Sequence, residues 1–224
     1  GDKRKALDVM IEILKTYQEQ PIISRVERKM INNFVDASRF EIDVDKSNFD
    51  YVYLSEDLIK LKGNRYHRKK NHLNRFKKTW DFEFRSMNDV VIDEVLRLQE
   101  DWCEFKECDD NQDLFHEDQA IYEALKNYRQ LKFKGGVILI DGKVEAFSFG
   151  EKLNPETAVI HVEKANPEIQ GLYTAINQMF ASDSWSDVKY INREQDLGLE
   201  GLRKAKESYY PVHMVEKYVL KEKS

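Results

Sequence analysis

The chain has few of the residues that usually build redox, metal or linker features. Among 224 residues there are two cysteines, five histidines, four prolines and nine glycines. Cys103 and Cys108 lie five apart. That spacing fits neither a C-x-x-C redox pair nor a zinc knuckle, so both read as reduced thiols of a cytosolic protein. The histidines are scattered without an H-E-x-x-H pair, so no metal is expected. No stretch is rich in Gly, Ser or Pro, which leaves no flexible linker to read. No apolar run approaches the roughly 18 to 20 residues that span a bilayer, and no signal-peptide apolar core is present. The sequence opens GDKRKALDV without an initiator Met, which reads as a trimmed or partial chain. The hydrophobic content of 41% and aromatic content of 12% are enough for a core and argue against disorder. The length allows one large or two small domains.

Acid is missing from one place. Residues 57–81 read DLIKLKGNRYHRKKNHLNRFKKTWD, with nine Lys or Arg and no Asp or Glu between Leu58 and Trp80. The whole chain carries 36 basic and 41 acidic residues, net −5; without those nine basic residues the remainder is net −14. Asn64 caps a helix running to about Lys78, in which Tyr66, Leu73, Phe76 and Trp80 form an apolar stripe. Arg65, Arg68, Lys69, His72 and Arg75 then lie on its other faces. Three readings follow: a solvated helix face, a helix docked on the acidic remainder, or a surface for phosphate, nucleic acid or lipid headgroups. Aromatic interleaving is thin, so base stacking is poorly supported.

Around this block the periodicity alternates between 3.6 and 2. Helices are expected over 2–18, with Ala6, Val9, Met10, Ile13, Leu14 and Tyr17 inward, and over 27–37. Strands are expected over 22–25, 40–44 and 49–54, the last two as a hairpin across DKSN. Beyond the basic helix come a strand at 80–85, helices at 88–105 and 116–131, and strands on both sides of Asp141–Gly142, a strong hairpin signal. A strand at 157–164, a helix at 171–181, a strand at 188–192, a helix at 200–207 and a closing strand at 212–220 complete the order.

Three segments hold candidate chemistry. In TAVIHVEK (157–164), alternation puts His161 and Glu163 on one face, either as an acid–base pair or as part of a half-wet sheet surface. In NPEIQGLYT (166–174), Gly171 opens a helix whose free N–H groups suit a phosphate; the plainer reading is an ordinary turn glycine. In YINREQDLGLEGLRKAKESYY (190–210), Asn192, Arg193, Glu194 and Asp196 crowd the carboxyl end of a strand, where ligands bind in open α/β sheets. Helix caps and surface ion pairs are the alternative for that cluster.

From residue 80 the order β-α-α-β-β-β-α-β-α-β is a mixed α/β sheet with helices on its faces. It resembles the GCN5-related N-acetyltransferase fold, covered from about 80 to 220. That resemblance implies acyl-CoA held at the Gly171 loop, although NPEIQGLYT has one glycine and an acid, Glu168, where the usual loop is Arg/Gln-x-x-Gly-x-Gly/Ala. The piece before residue 61 looks like the last half of a first copy. The expected domains are therefore 1–60, a basic connector at 61–79, and a complete fold at 80–224.

DYVYLSEDLIKLKGNRYHRKKNHLNRF and INREQDLGLEGLRKAKESYYPV are long and specific. They resemble the bacterial family that includes the C-terminal domain of phosphatidylglycerol lysyltransferase, over about residues 40–220. The resemblance implies tandem acetyltransferase-like folds, as in the Fem transferases, and an acyl or aminoacyl donor, either aminoacyl-tRNA or acyl-CoA. The best-known relatives move lysine from lysyl-tRNA to phosphatidylglycerol. No membrane-spanning run accompanies the motifs here, so the lipid acceptor is not carried over, and peripheral contact with an anionic membrane stays open. Under this reading Glu163, Glu194 and Asp196 are base candidates. Arg65, Arg68, Lys69, Lys70 and Arg75 hold donor phosphates, with Asn71 and Asn74 adding neutral hydrogen bonds. Arg193 and Lys204 bind acid or phosphate groups. A non-catalytic RNA- or lipid-binding module using the basic helix is the competing function.

Overall fold

The structure, a computed structural model, describes residues 2–106 and 112–223. Its elements are α1 (Lys3–Lys15), β1 (Ile22–Glu27), α2 (Arg28–Phe34), β2 (Phe40–Val44), β3 (Asp50–Leu54), α3 (Ser55–Lys60), α4 (His67–Thr79), β4 (Phe82–Ser86), α5 (Ile92–Lys106), α6 (Gln112–Lys126) and α7 (Tyr128–Leu131). There follow β5 (Lys134–Ile140), β6 (Lys143–Asn154), β7 (Thr157–Ala165), α8 (Leu172–Ser184), β8 (Tyr190–Asn192), α9 (Glu200–Glu207), β9 (His213–Val215) and β10 (Lys217–Glu222). The α/β class with a mixed sheet is as expected.

Two compact units emerge, residues 53–193 and residues 1–52 with 194–224. This grouping differs from the expected 1–60, 61–79 and 80–224. The basic helix α4 lies inside the first of these units, and the last strands group with the first residues of the chain.

In the 53–193 unit, β4, β5, β6 and β7 are antiparallel neighbours, and β8 adds parallel to β7. Asp141 and Gly142 both have positive φ, 51° and 80°, as a type I′ turn requires, which fixes the β5–β6 hairpin. Strand alternation then splits the sheet residues between two faces. Val137, Leu139, Phe147, Phe149 and Val162 pack with Val95 and Leu98 of α5 and Ile121 and Leu125 of α6. The other face receives α8, which buries Leu172, Ala175, Ile176, Phe180 and Ala181 and also packs against α3 and α4.

In the other unit, β10 runs antiparallel between β1 and β2, over a small core of Ile11, Phe40 and Leu220. The hairpin expected between 40–44 and 49–54 does not form. β2 pairs with β10, and β3 pairs with β9. The intervening Lys46–Asn48 segment is a 3-10 turn, and the Asp45 N–H donates to Lys217 O at 3.0 Å, which commits β2 to β10. The closing strand expected at 212–220 is likewise two strands with different partners, β9 and β10.

Helix α1 is rotated from the expected face, of which Leu14 alone turns partly inward. Ile11 is buried, whereas Val9, Met10, Ile13 and Tyr17 are exposed. Leu7, Ile11 and Leu14 are the residues that turn inward, flanked by ion pairs of Asp8 with Arg39 and of Lys15 with Glu222 at 3.0 Å. Cys103 is disulfide-bonded, not the reduced thiol expected, and Cys108 lies outside the described residues. Among the described residues no helix is long and apolar enough to cross a membrane.

Candidate functional site

Helix α4 carries one lysine on its apolar side. Tyr66, Leu73 and Phe76 are buried, and Lys69 falls between them at i+3 from Tyr66 and i−4 from Leu73. Trp80, expected on the same stripe, lies past the helix end and is 36% exposed. The helix can lie close against α8 because residue 171 has no side chain. A Cβ on Gly171 would sit 2.6 Å from His72 O and 3.1 Å from Phe76 Cβ, and its φ of 89° is left-handed. The structure thus gives Gly171 a packing reason independent of any phosphate.

Strands β7 and β8 share only three register pairs, ending at Val159 and Asn192, and β7 then continues to Ala165 paired with β6. Beyond that parting sits a cluster of charge. Arg193, the first residue after β8, donates from Nη2 to Glu163 Oε1 at 2.9 Å. Asn177 of α8 donates from Nδ2 to the other carboxylate oxygen, Oε2, at 2.9 Å. The Arg193 guanidinium lies over the ring of buried Tyr53, 5.6 Å from its centroid. Glu163 and Arg193 side chains are only 11% and 12% exposed. Half-buried Lys69 belongs to the same group. Burial pushes its pKa down to about 8; the like charge of Arg193 pushes the same way, and Glu163 opposes both.

His161 is not in this cluster. Pairing on β7 slips between Phe149–Val162 and Gly150–Ile160, so His161 is the extra residue of a β-bulge. Gly150 permits the bulge, because a Cβ there would run into Val159 O. The slip breaks the alternation that would have paired His161 with Glu163. His161 instead meets Glu151 at 3.3 Å and the Phe133 ring at 5.4 Å.

The remaining strand-end residues have separate places. Asn192 is buried in register with Val159. Glu194, Asp196 and Lys204 belong to the other unit. There Glu194 has a φ of 55°, and its carbonyl accepts from Tyr51 N at 3.1 Å. Asp196 is 1% exposed and saturated: it accepts from Tyr51 Oη at 2.6 Å, Arg203 Nε at 2.8 Å and Gly198 N at 2.7 Å. Burial alone would raise its pKa, but Arg203, Tyr51 and the Gly198 N–H hold it below the usual carboxylate range. Burial, then Asp196, pushes Tyr51 up to about 12. A carboxylate so held braces a loop with left-handed residues at Glu194, Leu197 and Gly198 and is poorly disposed to take a proton. Lys204 is exposed and pairs with Glu200, one helical turn away.

On the outside of α4, Arg68, Lys70, Asn71 and Arg75 are exposed, with Asn71 Nδ2 3.3 Å from His67 Nδ1. Arg65 reaches Asp57 at 2.7 Å and lies over the Tyr66 ring. The structure therefore separates the expected phosphate binders into an outer row and one inward lysine. The sequence reading missed Asn177, Tyr53, Tyr51 and Arg203 as site residues. Asn177 had a visible signal, an amide at helical spacing from Phe180 and Ala181 in the run LYTAINQMFA. The other three become neighbours of the site residues only through tertiary pairing. Among the described residues no group of three or more His, Cys, Asp or Glu could hold a metal ion.

Known proteins share this arrangement of elements. A conserved protein of unknown function from Bacteroides thetaiotaomicron VPI-5482 is 39% identical, with a TM-score of 0.92, over 100% of this chain and 76% of that one. L-PGS from Bacillus licheniformis is 12% identical, with a TM-score of 0.69, over 97% of this chain and 72% of that one, a likeness of fold alone. An uncharacterized protein of Mycoplasmoides gallisepticum is 22% identical over 190 residues, 82% of this chain. The chain spans 60% of the length of that curated relative. The family described as "Phosphatidylglycerol lysyltransferase, C-terminal" matches residues 1–221. The chain belongs to that family.

Proposed function

We propose that this member of a lysyltransferase family is itself a transferase, moving an acyl or aminoacyl group from a phosphate-bearing donor to a nucleophilic acceptor. Aminoacyl-tRNA and acyl-CoA are the two donor classes that fit. The observation that carries the reading is Lys69, a lysine pushed down to about 8 beside a Glu163–Arg193 pair where two parallel strands part. A group perturbed by burial and a specific charge partner at such a place is a candidate for acid–base work.

The neutral amine of Lys69 accepts the proton that the acceptor N–H or O–H loses as it attacks the donor carbonyl carbon. The new ammonium is stabilised by Glu163, and the proton then passes to the leaving ester oxygen or thioester sulfur as that bond breaks. Glu163, tied by Arg193 and Asn177, is the orienting anion. Arg68 and Arg75, one heptad apart, and Lys70 and Lys77, likewise one heptad apart, form two exposed flanks of α4 that meet donor phosphates. A module that only bound polyanions would use those flanks and leave the inward cluster without a task.

The test is turnover with charged tRNA or acyl-CoA across pH. Wild-type rate rises with pH and levels off above about 8. Lys69→Met loses roughly a hundredfold or more in kcat while keeping donor affinity. Arg68→Glu with Arg75→Glu does the reverse, weakening donor binding and flattening its salt dependence. Full turnover in Lys69→Met would remove the assignment.

A further inference from the structure

Asn177 ties Glu163 in the reading above, yet it does so from a wholly buried position with half of its amide unused. Asn177 is 0% exposed, and its buried neighbours along the same face of α8 are Thr174, Phe180, Ala181 and Ser184. The orientation of the amide is decided by chemistry: ionised Glu163 only accepts, so Nδ2 must face Oε2 at 2.9 Å. Oδ1 then points elsewhere and has no hydrogen-bond partner among the described residues. Half of a wholly buried amide is unused, which a purely structural position would not tolerate without reason.

The groups facing Glu163 come from three elements. Arg193 follows β8 and takes Oε1. Asn177 of α8 takes Oε2. The charge of Glu163 also favours the ammonium form of Lys69 on α4 and raises the Tyr173 hydroxyl at the start of α8. Two opposed hydrogen bonds at the two oxygens leave the carboxylate one orientation in its plane. Without Asn177, Arg193 alone would hold it, and it would be able to turn.

We propose that Asn177 is a positioning residue for the transfer reaction, locking Glu163 in the orientation that supports the charged form of Lys69. The proposal rests on the reading of Lys69 above, but it is read out without turnover. The experiment follows Lys69 by NMR of the whole chain labelled at lysine Cε, with Lys69→Arg assigning the resonance. Asn177→Ala is compared in the wild-type and Glu163→Gln backgrounds, with Asn177→Leu as a second variant of similar size and a melting curve for each.

In the wild-type background both substitutions weaken proton binding at Lys69 by roughly threefold, since a turning carboxylate supports the ammonium less well. With Glu163→Gln already in place they add nothing. An equal shift in both backgrounds, or no shift in either folded variant, overturns the proposal. If the coupling appears but turnover ignores it, the positioning by Asn177 stands and the assignment of Lys69 as proton acceptor fails.

Discussion

Lys69 places a measurable load on the fold, and replacing it should release that load. The ordinary lysine value of 10.5 falls to about 8 in the folded chain. At about 1.4 kcal/mol per tenfold change in proton affinity, that gap corresponds to about 3 kcal/mol, reduced to about 2 because Lys69 is half-buried and partly solvated. Lys69→Met keeps most of the stem and removes the ammonium from beside Arg193. Near neutral pH the variant should melt about 5 °C higher, using the usual scaling for a chain of this size. The pH dependence carries the sign. Between about pH 8 and 10.5 the unfolded chain binds the proton that folded Lys69 has released, so wild-type stability rises with pH in that window. The advantage of Lys69→Met is therefore full below about 8 and disappears as pH rises through 10.5. Calorimetry on both proteins at matched pH values measures it. A lower melting temperature for Lys69→Met near neutrality would mean that Glu163 outweighs burial, and a gap that stays constant with pH would show that Lys69 is not the source.

Gly171→Ala should destabilise by about 2 kcal/mol or more, because the new Cβ meets His72 O and must adopt a left-handed backbone; denaturant midpoints of the variant and of the exposed control Gly201→Ala decide it. Arg203→Met removes the leading support that holds the Asp196 carboxylate below its usual range. The stability contributed by Asp196 is present above its unfolded value of about 3.9 and is lost as pH falls through its lower folded value. Acid unfolding of Arg203→Met should therefore begin at higher pH than that of wild type; coincident acid transitions would refute the brace. Tyr51→Phe leaves the same carboxylate one donor short and should cost about 1 to 3 kcal/mol, read from urea denaturation.

Much of the architecture was legible because it depends on local periodicity. The Asp141–Gly142 hairpin, the α5 and α6 pair, α8 and the α9 turn follow from spacing and turn chemistry that a single strand or helix displays by itself. Partners were less legible. A strand such as β2 advertises its alternation but not whether β3 or β10 lies beside it, and the DKSN segment looked like a hairpin loop. On α1 the apolar residues cover a broad arc, so which part turns inward was left to the core of Phe40 and Leu220 that Ile11 joins.

The site divides in the same way. The sequence by itself determined that α4 is cationic, that its stripe of Tyr66, Leu73 and Phe76 would be buried, and that polar residues gather after the strand ending at Asn192. Lys69 was expected on another face of that helix; the structure turns it partly inward, three residues from Tyr66 and four from Leu73. Only the tertiary structure decided which charges meet. A one-residue slip on β7 sent His161 to Phe133 and Glu151 and left Glu163 for Arg193 and Asn177. The close approach of α4 to α8 at Gly171 then brought Lys69 into range. Local sequence specifies the direction of a side chain within its own element, but burial and charge proximity depend on neighbours distant in the chain, and these set the pKa of Lys69.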